Sequence, residues 1–209
     1  MKRYLVEGIG AFFLTLAVAI TAYPLAIGLM FAAMIYFGGH ISGGHFNPAI
    51  SLSVFFRQKL SSKHLGWYIV SQTVGAFIAA ELFFLIAQSP LSFPVQSEFL
   101  AGLVNEVLPT FVLCVVALEV LTCSRFKGAE EHGGLILGFT LAGIAHFPGI
   151  FNPAILLGVL VSGLVHAGDS GTMGSDLLYI AYPVVGALLA VFIFDYVNND
   201  KPVYKEYHQ

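Results

Sequence analysis

The chain has 209 residues, of which 57% are hydrophobic and only 10% charged. A soluble domain carries roughly 25% charged residues, so this composition excludes a water-soluble globule and describes a chain that lives in a bilayer. Nine basic residues against twelve acidic ones give a formal charge of −3, a balance that points to no nucleic-acid partner.

Apolar segments follow one another at 4–22, 24–37, 65–88, 99–123, 133–145 and 177–194. A span takes about 20 residues, within a range of about 17–25. The first follows Met1-Lys2-Arg3 and superficially looks like a signal peptide. No small-residue cleavage site and polar mature region come after it, and the chain turns back at Tyr23-Pro24, so it reads as a retained span. The second and fifth are short, but each runs on into a Gly-rich stretch: Gly38-Gly39-His40-Ile41-Ser42-Gly43-Gly44-His45 in one case, His146-Phe147-Pro148-Gly149-Ile150 in the other. Cys114 and Cys123 both fall on the fourth segment. They cannot staple distant elements, have no metal-ligand spacing, and read as buried small hydrophobes. No metal or cofactor site is legible, and no nucleophile–base pair that would make an enzyme.

Each Gly-rich stretch leads into Phe-Asn-Pro-Ala-Ile, at Asn47-Pro48-Ala49 and again at Asn152-Pro153-Ala154. Asn is a helix cap and Pro suits the first helical position, so each tripeptide opens a short helix. From Pro48 to Arg57 is about 15 Å of helix, half of a hydrocarbon core of roughly 30 Å. With Arg57 at the surface, Asn47 lies near the centre. The second half-helix runs from Pro153 towards His166 and leaves by the opposite face.

The halves, roughly 1–95 and 96–209, echo each other. Glu7 and Glu106 open the first and fourth segments, and Val74-Gly75-Ala76 matches Val185-Gly186-Ala187. Three spans per repeat require opposite orientations, and inverted repeats place a site at the midplane between interrupted helices. Charge supports the count: Lys2, Arg3, Arg57, Lys59, Lys63, Arg125, Lys127, Lys201 and Lys205 all fall on one side of six spans, which predicts cytoplasmic termini. The expectation is an all-α membrane protein, one domain over 1–209, with six transmembrane helices and two re-entrant half-helices.

Ser42-Gly43-Gly44-His45-Phe46-Asn47-Pro48-Ala49, Gln72-Thr73-Val74-Gly75-Ala76, the two glutamates and Tyr182-Pro183-Val184-Val185-Gly186-Ala187 together resemble the aquaporin and glycerol-facilitator family over essentially the whole length. The resemblance implies a homotetramer with one pore per subunit, passing water or small uncharged solutes. It implies that Glu7 and Glu106 accept hydrogen bonds from the re-entrant backbone, and that His45 sits at the cytoplasmic pore edge. Asn47 and Asn152 would turn amide donors towards a water file, while two helix N-termini, each about half an elementary charge, oppose cations. Gly43, Gly44 and Gly149, with the carbonyls of His45 and Ile150, read as pore lining. Gly38 and Gly39 read as loop backbone, Gly75 and Gly186 as packing, His40 as structural, and Glu81 and Glu119 as lying near span ends.

In that family an Arg usually follows the second tripeptide and walls the outer constriction; here the residue is Ile155. By offset the other constriction positions are Ile27, Thr140 and Gly149. This set is small to medium and uncharged, and it implies a permissive pore. His146 would add polarity at the mouth. The rivals are a secondary transporter, which needs a titratable or ion-coordinating midplane group, and a non-conducting structural membrane protein.

Overall fold

A computed structural model of the chain describes residues 1–21, 23–93, 99–123, 130–167 and 173–198. Arg125, Lys127, Lys201 and Lys205, part of the charge argument, lie outside them. Among the described residues all regular structure is helical.

The helix α1 (Lys2–Ile20) leads through Tyr23, with Pro24 at the first helical position, into α2 (Pro24–Ser42). Gly38 and Gly39 belong to α2 rather than to a loop, which corrects the sequence expectation; a Cβ on Gly38 would stand 2.2 Å from Val6, so its smallness admits a neighbour. The helix ends instead at Gly43, whose φ of 96° only glycine adopts without strain. The half-helix α3 (Pro48–Phe56) is nine residues, about 14 Å long. Ser61 caps α4 (Ser62–Ala87), which ends on left-handed Gln88.

A short α5 (Phe99–Gly102) passes into a π turn at Leu103–Val107 and then α6 (Leu108–Thr122). Pro109 explains the turn. It has no N–H to offer the Asn105 carbonyl, so the chain widens and the Leu108 N–H reaches back to Leu103. The helix α7 (Glu130–Ile144) is shorter at 15 residues; α8 (Pro153–Ala167) is the second tripeptide helix, and α9 (Met173–Asn198) carries Pro183 inside it.

Small residues let the long helices approach closely, the usual solution inside membranes. On Gly75 of α4 a Cβ would lie 2.1 Å from the Gly8 carbonyl of α1; on Gly28 of α2 it would lie 2.2 Å from that of Gly138 in α7; on Gly186 of α9 it would lie 2.6 Å from that of Val107. Each half-helix packs against the long third helix of the other half, α3 on α9 and α8 on α4. Polarity is inverted relative to a soluble protein. Glu7, Gln72 and Glu106 are fully buried, whereas Trp67, Val70, Val74, Ile78, Leu188 and Phe192 face outward. That outer belt suits lipid.

Candidate functional site

The two tripeptides meet. Asn47 accepts the Ala49 N–H on its side-chain oxygen at 2.8 Å, and Asn152 accepts that of Ala154 at 3.0 Å, so each caps its own helix. Each amide also donates across to the other half: Asn47 Nδ2 to the Phe151 carbonyl at 2.9 Å, Asn152 Nδ2 to that of Phe46 at 3.0 Å. The N-termini of α3 and α8 are thereby held tip to tip. A side-chain amide has two N–H donors, so each Asn keeps one for whatever stands between the tips.

The accepting carbonyls belong to residues under strain. Phe46 and Phe151 have φ of 50° and 54°, a left-handed backbone that costs an L-residue roughly 1–2 kcal/mol. They stay there because both polar ends are taken. The Phe46 N–H donates to Glu7 Oε2 at 2.6 Å and the His45 N–H to Glu7 Oε1 at 3.0 Å. On the other side Phe151 and Ile150 donate to Glu106 at 2.8 and 2.7 Å. Hydrogen bonds to a charged group are worth about 1.5–3 kcal/mol each, enough to outweigh the strain. The Phe46 ring lies on Gly10, where a Cβ would come within 2.2 Å.

The braces are unequal. Glu7 also receives the Ser42 hydroxyl at 2.6 Å and the Gln72 amide at 2.7 Å, four donors that occupy an ionised carboxylate fully. The matching positions in the second half are Phe147 and Pro183, which offer no side-chain donor; Glu106 is reached instead by the Tyr179 hydroxyl, a third donor against the four at Glu7. Neither Ser42 nor Gln72 stands out as a carboxylate partner in the sequence, although a Gln amid apolar α4 residues is a signal that something buried satisfies it.

His45 is buried, its ring edge-on to Tyr68 at 5.3 Å between centroids. Its Nδ1 lies 3.1 Å from the Ser51 hydroxyl. That hydroxyl already donates to the Asn47 carbonyl and accepts from Gln72 Nε2, both at 3.1 Å, so the proton between His45 and Ser51 belongs to Nδ1. His40, by contrast, is exposed on the last turn of α2.

A cavity reaches the Asn pair and leaves about 60 Å³ for the centres of water molecules; one water needs about 10–15 Å³ on that measure, so a short file fits. Its wall includes Asn47, Asn152, Gly149 and Ile150, and of the proposed constriction Ile27, Gly149 and Ile155. Gly43, Gly44 and His45 are not part of this wall; α7 contributes Leu141 to it, and the turn that follows contributes Ala145, while Thr140 is not among its residues. The Thr140 hydroxyl instead donates to the Ile136 carbonyl at 2.8 Å. The cause is helix rotation: Gly138 and Ala142 must face Gly28 of α2, which turns Leu141 inward and Thr140 about 100° away from it. Leu14, Val18, Phe31, Leu113 and Phe151 complete the wall; nothing in their local sequence separates them from ordinary core.

The outer ends of the half-helices are also tied. Arg57, capping α3, is buried and pairs with Asp195 of α9, its guanidinium 5.1 Å from the centre of the Phe194 ring. Near the end of α8, His166 meets Glu81 of α4 at 2.9 Å and stacks on Phe84 at 3.6 Å. Glu119 lies beside the Cys123 thiol at 3.4 Å, and His146 is exposed by the Gly143 carbonyl. Cys114 and Cys123 are both buried thiols outside any disulfide.

Residues 6–194 match the sequence profile of the family described as Major intrinsic protein. The glycerol uptake facilitator protein-like 6 of Lactiplantibacillus plantarum is 33% identical, the match covering 92% of this chain and 96% of that one. Aquaporin AqpM of Methanothermobacter marburgensis is 29% identical over 86% of this chain and 77% of its own. Among solved structures, the aquaglyceroporin from Plasmodium falciparum superposes with a TM-score of 0.77 at 21% identity, covering 94% of this chain and 96% of the other. That likeness shows the aquaporin fold.

Proposed function

From a chain that belongs to the major intrinsic protein family, an integral multi-pass membrane family of channels, we infer a passive pore for water and small uncharged solutes. The observation that carries this reading is the reciprocal pairing of Asn47 with Phe151 and Asn152 with Phe46. It brings two positive helix ends and two N–H donors to one cavity. A water or a neutral solute presents an oxygen to those donors, while a cation meets about half a positive charge from each helix. Waters bound by their oxygens break the chain along which a proton would hop.

In this reading the outer constriction is built on Ile27, Gly149 and Ile155, with Leu141 facing in beside Thr140. It has no guanidinium, so it lacks both the fixed charge and the multi-donor fork an Arg supplies. The pore is accordingly permissive. Gly43, Gly44 and His45 line its cytoplasmic half, and Glu7 and Glu106 brace the loops without touching the solute. The two halves form an inverted repeat, the termini are cytoplasmic, and the apolar belt supports assembly as a homotetramer in the bilayer. The neutral Asn pair at the centre favours a channel over an ion-coupled transporter, and the chain does no chemistry on what it passes.

Stopped-flow swelling of proteoliposomes tests this. The expected result is flux of water and of at least one among glycerol, urea and similar neutrals, linear in gradient and unsaturated. Strict water selectivity would sink the permissive constriction, saturable or gradient-coupled flux would favour a transporter, and an Asn152→Asp variant indistinguishable from wild type would favour a closed structural protein.

A further inference from the structure

We propose that the outer half of this pore sorts neutral solutes by their number of hydrogen-bonding groups, favouring molecules with one or two hydroxyls over glycerol and other triols. The inference rests on the channel reading above and concerns what such a channel prefers.

The hydrogen-bond inventory of the cavity is short. Asn47 and Asn152 each retain one N–H after their cross-bonds. The backbone N–H groups of Gly149, Ile150 and Phe151 are all committed, to the Phe147 carbonyl and to Glu106. The Phe151 carbonyl already accepts from Asn47, which leaves it one lone pair. What the wall offers a solute is chiefly the two donors on the Asn pair and a few backbone carbonyls, foremost those of Gly149 and Ile150, all close to the loop. The rest of the wall is hydrocarbon, from Val18, Ile27, Phe31, Leu113, Leu141 and Ile155.

That inventory serves one oxygen well at the Asn pair, and a second hydroxyl at the two carbonyls. A third hydroxyl meets an aliphatic wall. A hydroxyl stripped of water without a new partner loses enough free energy to slow entry by about tenfold or more. A methyl group in its place is received by the same wall at no such penalty. Water, with a single oxygen, passes under the same rule. Adding a polar atom to the wall therefore relaxes the discrimination.

The matched pair 1,2-propanediol and glycerol isolates one hydroxyl on the same three-carbon skeleton. The full chain is reconstituted, and permeability to water, propanediol and glycerol is read by stopped-flow light scattering, with the empty-vesicle rate subtracted. The protein-dependent rate for propanediol is expected to exceed that for glycerol by about tenfold or more. Ile155→Asn, and independently the one-atom change Ala145→Ser, should bring the ratio down by raising glycerol relative to propanediol. Equal protein-dependent rates for the two solutes alongside conducted water would overturn the preference and leave the channel standing, as would a ratio that neither variant moves. No protein-dependent rate for any of the three would overturn the channel reading and the preference with it.

Discussion

Gly149→Ala is the most demanding test of the second loop. An added Cβ would lie 2.1 Å from the Asn105 carbonyl oxygen, 2.5 Å from the Phe151 ring and 3.0 Å from a Glu106 oxygen. The nearest atom is backbone, held by the π turn, and that turn is itself backed by Gly186 at Val107. Two relaxations are open. Overpacking the rigid site costs about 1–3 kcal/mol. Moving the loop away surrenders the Ile150 and Phe151 bonds to Glu106, at about 1.5–3 kcal/mol each. The first is cheaper, so the loop keeps its braces and the distortion falls on Phe151, whose carbonyl holds Asn47. Water permeability per reconstituted protein should fall about tenfold, since a misplacement of about 1 Å is enough to spoil a positioned polar group. Gly143→Ala is the control: it lies on α7 with nothing within 4 Å of its Cβ, and should conduct like wild type. A Gly149→Ala channel within twofold of wild type would refute the argument, because it would mean that the loop position does not set the flux.

Asn152→Asp keeps the cap on Ala154 but sets an oxygen against the Phe46 carbonyl, now 3.0 Å from a donor; water flux should drop and a cation leak appear, measured by a sodium-sensitive dye in the same vesicles. Glu7→Gln replaces an acceptor for four donors with a half-donor group, and should lower yield of folded protein in mild detergent more than Glu106→Gln, which disturbs two backbone bonds and the one from the Tyr179 hydroxyl; equal losses in size-exclusion recovery would contradict the asymmetry. His166→Phe keeps the stack on Phe84 and removes only the half-exposed pair with Glu81, so thermal stability should change by less than the equivalent of about 1 kcal/mol.

The spans, the two capped half-helices and the paired glutamates were legible because each depends on local pattern: hydropathy over some twenty residues, an Asn-Pro start, a carboxylate in an apolar run. Contacts between distant segments were not. The donors to Glu7 from Ser42 and Gln72, and the Arg57–Asp195 pair, join residues 35, 65 and 138 positions apart. One expectation failed for a local reason that packing overrode. Gly38 and Gly39 continue α2, and at Gly38 it is a close neighbour, Val6 of α1, and not a loop, that wants the small size. The π turn had a readable cause in Pro109, but its effect shows only when the widened backbone meets Gly149. The left-handed Phe46 and Phe151 have no signal of their own, since aromatic residues avoid that conformation unless neighbours impose it.

The crossed amide bonds have a consequence for biogenesis. Asn47 waits for a carbonyl 104 residues further along the chain. At roughly 5–20 residues per second of synthesis, about 5–20 s pass after the first loop leaves the ribosome before its partner emerges. During that interval Glu7 can hold the first loop, since its four donors all come from residues up to Gln72, but the tip of α3 still faces an unfinished protein. The unequal braces then acquire an order in time: the self-sufficient loop is made first and serves as the template on which the more sparsely held one closes.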